Sequence, residues 1–319
     1  MGKMKGYFYA ALVAFVLSFI FCKLLIPLLR KMKAGQNILV YVEEHKSKGG
    51  TPTMGGLAFI FAAVISSALF IQELDRTLII TYVIGISYMI VGVLDDFLKK
   101  KHRENLGLRA WQKFLFQAAI ALFSGIYCYR SGLINWHVPF ADRNWGMGWF
   151  VIPMSAFIFV AIVNAVNLRD GLDGLAAGVS MPFFLCFGVL TIMQSHGNLG
   201  TISFALVGAL MAYLLFNTPP ASVFMGDTGS LALGGFAGAI AIFSENALYL
   251  PIIGGCFVFS VISVVVQVIY YKATGGKRVF LMAPAHHHFQ KKGYSESRIS
   301  FAYFSITALL GAICIAFAL

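Results

Sequence analysis

Long apolar runs alternate with short polar loops over the whole chain, and each run approaches or exceeds the length needed to cross roughly 30 Å of hydrocarbon. They predict about ten helices, near residues 7–29, 55–72, 77–98, 111–129, 150–168, 174–195, 200–217, 229–244, 247–271 and 298–318. Pro251 stands near the start of the ninth run and predicts a break there. The first run is too long and apolar for the core of a signal peptide and reads as a retained helix. The expected fold is all-α, a polytopic integral membrane protein with one transmembrane domain spanning residues 1–319.

Composition excludes a water-soluble globular domain: hydrophobic residues make up 59% of the 319 positions and charged residues 12%, with a mean hydropathy of +0.81. The five cysteines fall singly inside apolar runs without a C-x-x-C spacing, so they imply neither disulfides nor metal ligands. Orientation follows from the basic residues, since 18 of the 24 Lys and Arg lie in loops after odd-numbered helices. Those loops are expected to face the cytoplasm, with both termini outside, although Lys3 and Lys5 pull the other way. The net charge of +11 then belongs to the cytoplasmic face, where it suits anionic headgroups or an anionic substrate. No nucleic-acid partner is implied. Trp136, Trp145 and Trp149 in the outer segment read as an interfacial aromatic belt with a small loop or hairpin.

Against this apolar background, the stretch from Val163 to Leu175 offers two carboxamides, a guanidinium and two carboxylates. Polar groups this dense inside a membrane segment mark a functional site by default. If the segment stays helical, Asn164, Asn167, Asp170 and Asp173 recur every three residues and converge on one ligand. The plainer alternative is a helix end with polar caps. Gly171 and Gly174 admit a close approach of backbone or ligand.

Other polar clusters lie on the same expected face. The loop from His45 to Gly56 combines Lys48, Thr53 and four glycines, and could hold a phosphate through its N–H groups or be an ordinary basic loop. Asp95 and Asp96 sit at a helix C-terminus, the unfavourable end of its dipole, and need compensation. The Lys99–Lys101 run could supply it, or a divalent cation. Arg109 and Lys113 stand one turn apart at the start of the fourth helix. Asp227 lies in a turn-rich loop after Pro219 and Pro220, either as a helix cap or as part of the acidic cluster. His286, His287 and His288 form a contiguous triplet in a basic loop, better suited to phosphate than to zinc, which wants spaced ligands.

Together, Asp95-Asp96, Asn167 to Leu175, Phe224 to Ser230 and Pro284 to Phe289 appear in the order and setting of the phospho-N-acetylmuramoyl-pentapeptide transferases. The chain resembles that family, within the polyprenyl-phosphate N-acetylhexosamine-1-phosphate transferase superfamily, from about Lys48 to the C-terminus. It departs from the usual pattern at Arg169, Ala285 and Gln290. The resemblance implies a Mg²⁺-dependent enzyme of the bacterial cytoplasmic membrane, acting on undecaprenyl phosphate and UDP-MurNAc-pentapeptide, with a homodimer as a candidate assembly. It implies Asp227 as metal ligand, with Asp95 and Asp96 activating the lipid phosphate or supporting the metal. It implies that Lys48, Thr53, Asn167, Asp170, Gly171, Leu172, Asp173, Asn217 and Phe224 line the nucleoside end, Phe224 stacking on uracil. Lys113 and the three histidines would neutralise phosphates. A sister enzyme moving another UDP-amino sugar is the nearest alternative. A transporter would place its acids near the midplane on inverted repeats, and a structural scaffold would leave five acids without a role.

Overall fold

The computed structural model describes residues 2–32, 50–71, 73–102 and 107–318. All ten apolar runs are helical. They form α1 (Gly2–Lys31), α2 (Gly56–Phe70), α3 (Arg76–His102), α4 (Ala110–Arg130), α5 (Val151–Asn167), α6 (Leu175–Met193), α7 (Gly197–Asn217) and α8 (Gly226–Phe243). The ninth run divides, as Pro251 predicts, into the short α9 (Leu250–Ile253) and α10 (Gly255–Ala273). A seven-residue helix, α11 (Ala285–Lys291), precedes the last long one, α12 (Glu296–Ala318). Among the described residues, eight helices are long and apolar enough to cross a membrane: α1, α3, α5, α6, α7, α8, α10 and α12. α2 is shorter, at 15 residues. The chain is thus a multi-pass, all-α membrane protein.

The most enclosed helix is α8, which packs on α2, α3 and α5. Its sequence explains the burial: Ala232, Gly234, Gly235, Ala237, Gly238 and Ala239 keep its surface small, so neighbouring helices approach closely. Around it, α7 packs against α1, α2 and α6, while α6 also meets α12. The outer faces of α1, α10 and α12 carry exposed residues such as Leu12, Ile269 and Leu309, as expected for surfaces that meet lipid.

Polar contacts gather at the two poles of the bundle. At one pole Asn198 donates to Asp75, Asn246 donates to Gln194, and the backbone N–H of Asn135 donates to Glu245. Here β1 (Asn135–His137) and β2 (Asn144–Gly146) pair as an antiparallel hairpin. Tyr7 of α1 and Phe317 of α12 also lie at this pole, in the cavity beside His196 and against Phe140. The described start of α1 and end of α12 therefore lie at the pole opposite the acidic residues. One expectation is corrected here. Trp136 is a fully buried core residue and does not belong to a belt, whereas Trp145 and Trp149 are exposed. The half-buried Glu245 anchors the hairpin.

Candidate active site

Three acids from two helices meet at the other pole. Asp95 and Asp96 come from the end of α3, Asp227 from the first turn of α8, and one carboxylate oxygen from each lies within 4.8 Å of the others. Helix packing brings them together, because Gly92, one turn before Asp96, rests against the backbone of Asp227. Two lysines neutralise the cluster. Lys99, one turn after Asp95, places its Nζ 2.7 Å from Asp95 and 3.0 Å from Asp227. Lys113 reaches over from α4 to within 2.5 Å of Asp227. Such charge-assisted contacts are strong where burial limits screening. The Lys run and the acidic cluster, alternatives in the sequence, are both present.

Asp96 holds the cluster in shape. Its oxygens accept hydrogen bonds from the backbone N–H groups of Asp227 (3.2 Å) and Thr228 (3.0 Å) and from the Thr228 hydroxyl (2.7 Å). These N–H groups are among the unpaired donors of the α8 N-terminus. Met225, the residue at the cap position, supplies no side-chain bond. Asp96 therefore caps α8 from a neighbouring helix, which leaves Asp227 free to face the lysines. Asp227 completes its contacts through Asn167, whose Nδ2 donates to Oδ1 at 2.7 Å and to Ser230 at 2.9 Å. Asp95 Oδ1 accepts from the backbone N–H of Leu108 at 2.7 Å. Thr53 joins from the segment before α2: Gly226 has φ +70°, and a side chain there would collide with Thr53 and Asp96.

The 168–174 turn is built differently from the expectation. α5 ends at Asn167, so Asn164, Asn167, Asp170 and Asp173 do not share one helical face. Asn164 turns away and donates to Gln117 at 2.7 Å. Asp170 remains near the acids, and burial together with the Asp227 and Asp96 carboxylates pushes it up to about 8, so it keeps its proton near neutrality. Asp173 accepts from the backbone N–H of Ala221 at 3.0 Å. Asn217 accepts from Gly174 N–H at 3.1 Å and donates to Val223 carbonyl at 2.9 Å. Both brace the 218–224 loop, and the Asn217 amide is buried and spent on backbone. Leu172 is likewise a buried core residue. Phe224 is tied by its backbone, donating to Pro52 carbonyl at 2.8 Å and accepting from Gly55 N–H at 2.9 Å, while its side chain stays half-buried. Lys48 lies outside the described residues.

The three histidines take three different environments. His286 is fully buried, and burial, with His287 and Arg169 nearby, lowers it to about 2. Both of its ring nitrogens lack a hydrogen-bond partner among the described residues. His287 places Nδ1 3.0 Å from Gln290 Oε1. Its Nε2 lies against Gly171, where a Cβ would come within 2.9 Å of it and within 3.0 Å of His286 Nε2. Glycine is needed there for the His segment to dock on the Asp170 turn. His288 Nδ1 accepts from Leu281 N–H at 3.1 Å, which fixes the preceding loop.

Lys99 entered the sequence reading only as part of the Lys99–Lys101 run, and its i,i+4 spacing from Asp95 singles it out. Other partners were absent from that reading. Thr228 and Ser230 had no signal beyond lying beside Asp227, because their roles depend on α3 and α5 arriving at the same place.

Residues 78–245 match the family described as glycosyl transferase family 4. Residues 48–60 match signature 1 of phospho-N-acetylmuramoyl-pentapeptide-transferase. A phospho-N-acetylmuramoyl-pentapeptide-transferase of Clostridium novyi is 42% identical over 305 residues, covering 95% of this chain and 94% of that protein. The protein of the same name from Listeria innocua is 43% identical over 306 residues, covering 94% of each. One from Clostridium botulinum is 41% identical over 304 residues, covering 94% of this chain and 93% of that protein. With the acids, lysines and histidine segment gathered at one pole of a multi-pass helical bundle, this chain belongs to the phospho-N-acetylmuramoyl-pentapeptide-transferase family.

Proposed function

We propose that this protein transfers phospho-MurNAc-pentapeptide from its UDP carrier to undecaprenyl phosphate, forming lipid I and UMP at the cytoplasmic face of the bacterial inner membrane. The observation that carries the reading is the meeting of Asp95, Asp96 and Asp227 with Lys99 and Lys113 at one end of a membrane bundle, in a chain whose relatives bear that activity's name.

The donor set fits Mg²⁺. That ion prefers oxygen ligands and is usually held by one or two carboxylates plus substrate phosphates. Asp227 and Asp95 are the ligands of choice, because each keeps its Oδ2 facing side-chain ammonium groups, whereas both oxygens of Asp96 are committed to the α8 backbone. Bound there, Mg²⁺ would supply positive charge to the pyrophosphate oxygens as negative charge develops.

The chain's own residues do the rest. In the proposed reaction an oxygen of the lipid phosphate attacks the phosphorus linked to the sugar. The bond from that phosphorus to the bridging oxygen of UMP breaks, and UMP leaves with the electron pair. A phosphate monoester has a second pKa near 6, so the nucleophile is already mostly a dianion at neutral pH. Repulsion between phosphates is the larger obstacle. Lys113 and Lys99 relieve it, with the His287 ring docked on the Asp170 turn beside the cluster. Asp95 orients the lipid phosphate or accepts its residual proton. Asp96 positions Asp227. Phe224, Thr53 and Asp170 line the nucleoside end, with Asp173 and Asn217 shaping the loop behind it; Lys48, which the resemblance assigns to that end, lies outside the described residues. Catalysis is then chiefly positioning and charge stabilisation.

The test is release of UMP by the detergent-solubilised protein with undecaprenyl phosphate and a panel of UDP-linked sugars. Turnover confined to UDP-MurNAc-pentapeptide supports the reading. A preference for a plain UDP-N-acetylhexosamine would assign the protein to a sister activity.

A further inference from the structure

Arg169 is fully buried, yet among the described residues none of its three guanidinium nitrogens has a hydrogen-bond partner of good geometry. Its closest companions among the described residues are two aromatic side chains, with the Tyr303 hydroxyl and Cys256 also near the guanidinium. The guanidinium carbon lies 4.4 Å from the ring centre of Tyr303 on α12 and 5.6 Å from that of Phe257 on α10. Cation–π contact offsets part of the cost of burying the charge, but the rings accept none of the in-plane N–H groups. A buried charge without a counter-charge is among the costliest features a fold can carry.

The neighbouring polar groups make the same demand. His286 is fully buried with both ring nitrogens unpartnered, and the Tyr303 hydroxyl is buried and unpartnered as well. Arg169 and His286 are close enough for the guanidinium charge to bear on the imidazole. Three chain segments thus bring N–H and O–H donors to one enclosed place, where among the described residues there is one formal positive charge and no carboxylate bonded to it.

We propose that Arg169, His286 and Tyr303 form a closed binding site for one small monovalent anion, chloride in the cell. A monovalent ion balances the one guanidinium charge, whereas a phosphate dianion would leave a surplus negative charge buried. Full enclosure of Arg169 and His286 also favours a small ion over a group attached to a large substrate. The site lies behind the acidic cluster. Its effect is to tie the turn carrying Asp170 and Asp173 to α10, α11 and α12, so that occupancy stabilises the fold and does not enter the chemistry.

The experiment is thermal unfolding of the full chain in detergent, in potassium gluconate, chloride, bromide or sulfate at one ionic strength. Chloride and bromide are expected to raise the Tm over gluconate, saturably, and sulfate is not. Arg169→Gln is expected to abolish the halide shift, and Tyr303→Phe, which keeps the ring, to move its midpoint to higher halide concentration. Crystals grown in bromide should show an anomalous peak within hydrogen-bonding distance of Arg169, a readout that needs no variant. Equal Tm in all four salts, a halide shift that survives in Arg169→Gln, or bromide peaks only elsewhere would each overturn the proposal. None of these readouts involves substrate, so they stand apart from the test of the transferase reaction.

Discussion

Thr228 at the start of α8 gives both its backbone N–H and its hydroxyl to one oxygen of Asp96 on α3, at 3.0 and 2.7 Å. The contact distinguishes two adjacent acids that look equivalent in the sequence. Asp96 is a cap supplied in trans, whose negative charge also lies at the favourable end of the α8 dipole. Asp95 faces Lys99 and the cluster interior. Asp96→Asn is therefore expected to cost about 1–2 kcal/mol of stability, in the range of a lost N-cap, and to lower the Tm more than Asp95→Asn does. Thermal unfolding of the two variants measures this; equal losses would remove the distinction. Thr228→Val combined with Asp96→Asn should cost less than the sum of the two single changes, since both break the same contact.

The pH dependence of folding should carry the signature of His286. Its folded value of about 2 lies below the roughly 6.5 of an unfolded histidine. Between those values the unfolded chain binds the proton more readily, so stability falls as pH drops below about 6.5 and is unaffected by this group above it. His286→Gln is expected to flatten the acid limb of the Tm–pH curve. An unchanged slope would mean that His286 is protonated in the folded protein.

How much of this was legible in the sequence depended on the range of the interactions. Helices are set by local apolar length, so all ten runs emerged, and even the division at Pro251 was visible. The site's membership was legible as residue types: Asp95, Asp96, Asp227, Lys113 and Asn167 do converge. Their roles were not, because roles depend on which backbone each side chain meets. Asp173 and Asn217 could be recognised as loop braces only once Ala221, Gly174 and Val223 were placed beside them. The helical spacing of Asn164 through Asp173 misled for a related reason. α5 stops at Asn167, and the turn that follows sends Asn164 to Gln117 and Asp173 to Ala221. Trp136 was misjudged because an aromatic near a helix end satisfies a belt or a core equally well, and only the hairpin's docking decides.

Membrane orientation is tested by labelling. In a cysteine-free background, single cysteines near Lys100 and Lys291 are expected to be shielded from an impermeant external reagent in intact cells, and one near Asn144 to be labelled. The native cysteines, all buried, give little background in any case. Labelling at Lys100 from outside would reverse the orientation and remove the cytoplasmic substrate from reach of the acids.

A one-step displacement is distinguished from a covalent enzyme intermediate by isotope exchange. Labelled UMP incubated with enzyme, Mg²⁺ and UDP-MurNAc-pentapeptide, in preparations stripped of polyprenyl phosphate, should not enter the UDP-linked substrate. Lipid-independent exchange abolished by Asp95→Asn would instead make Asp95 a nucleophile.

The most direct test of the account is the Mg²⁺-dependent rate of UMP release by Asp227→Asn. The asparagine keeps an oxygen for Asn167 and leaves the Asp96 cap of α8 in place, so the folded protein should survive. Losing the charge that faces Lys99, Lys113 and the proposed metal removes several kcal/mol of transition-state stabilisation, so turnover should fall by roughly a thousandfold or more. A folded Asp227→Asn protein with near-normal turnover and unchanged Mg²⁺ dependence would contradict the assignment of this cluster as the catalytic centre.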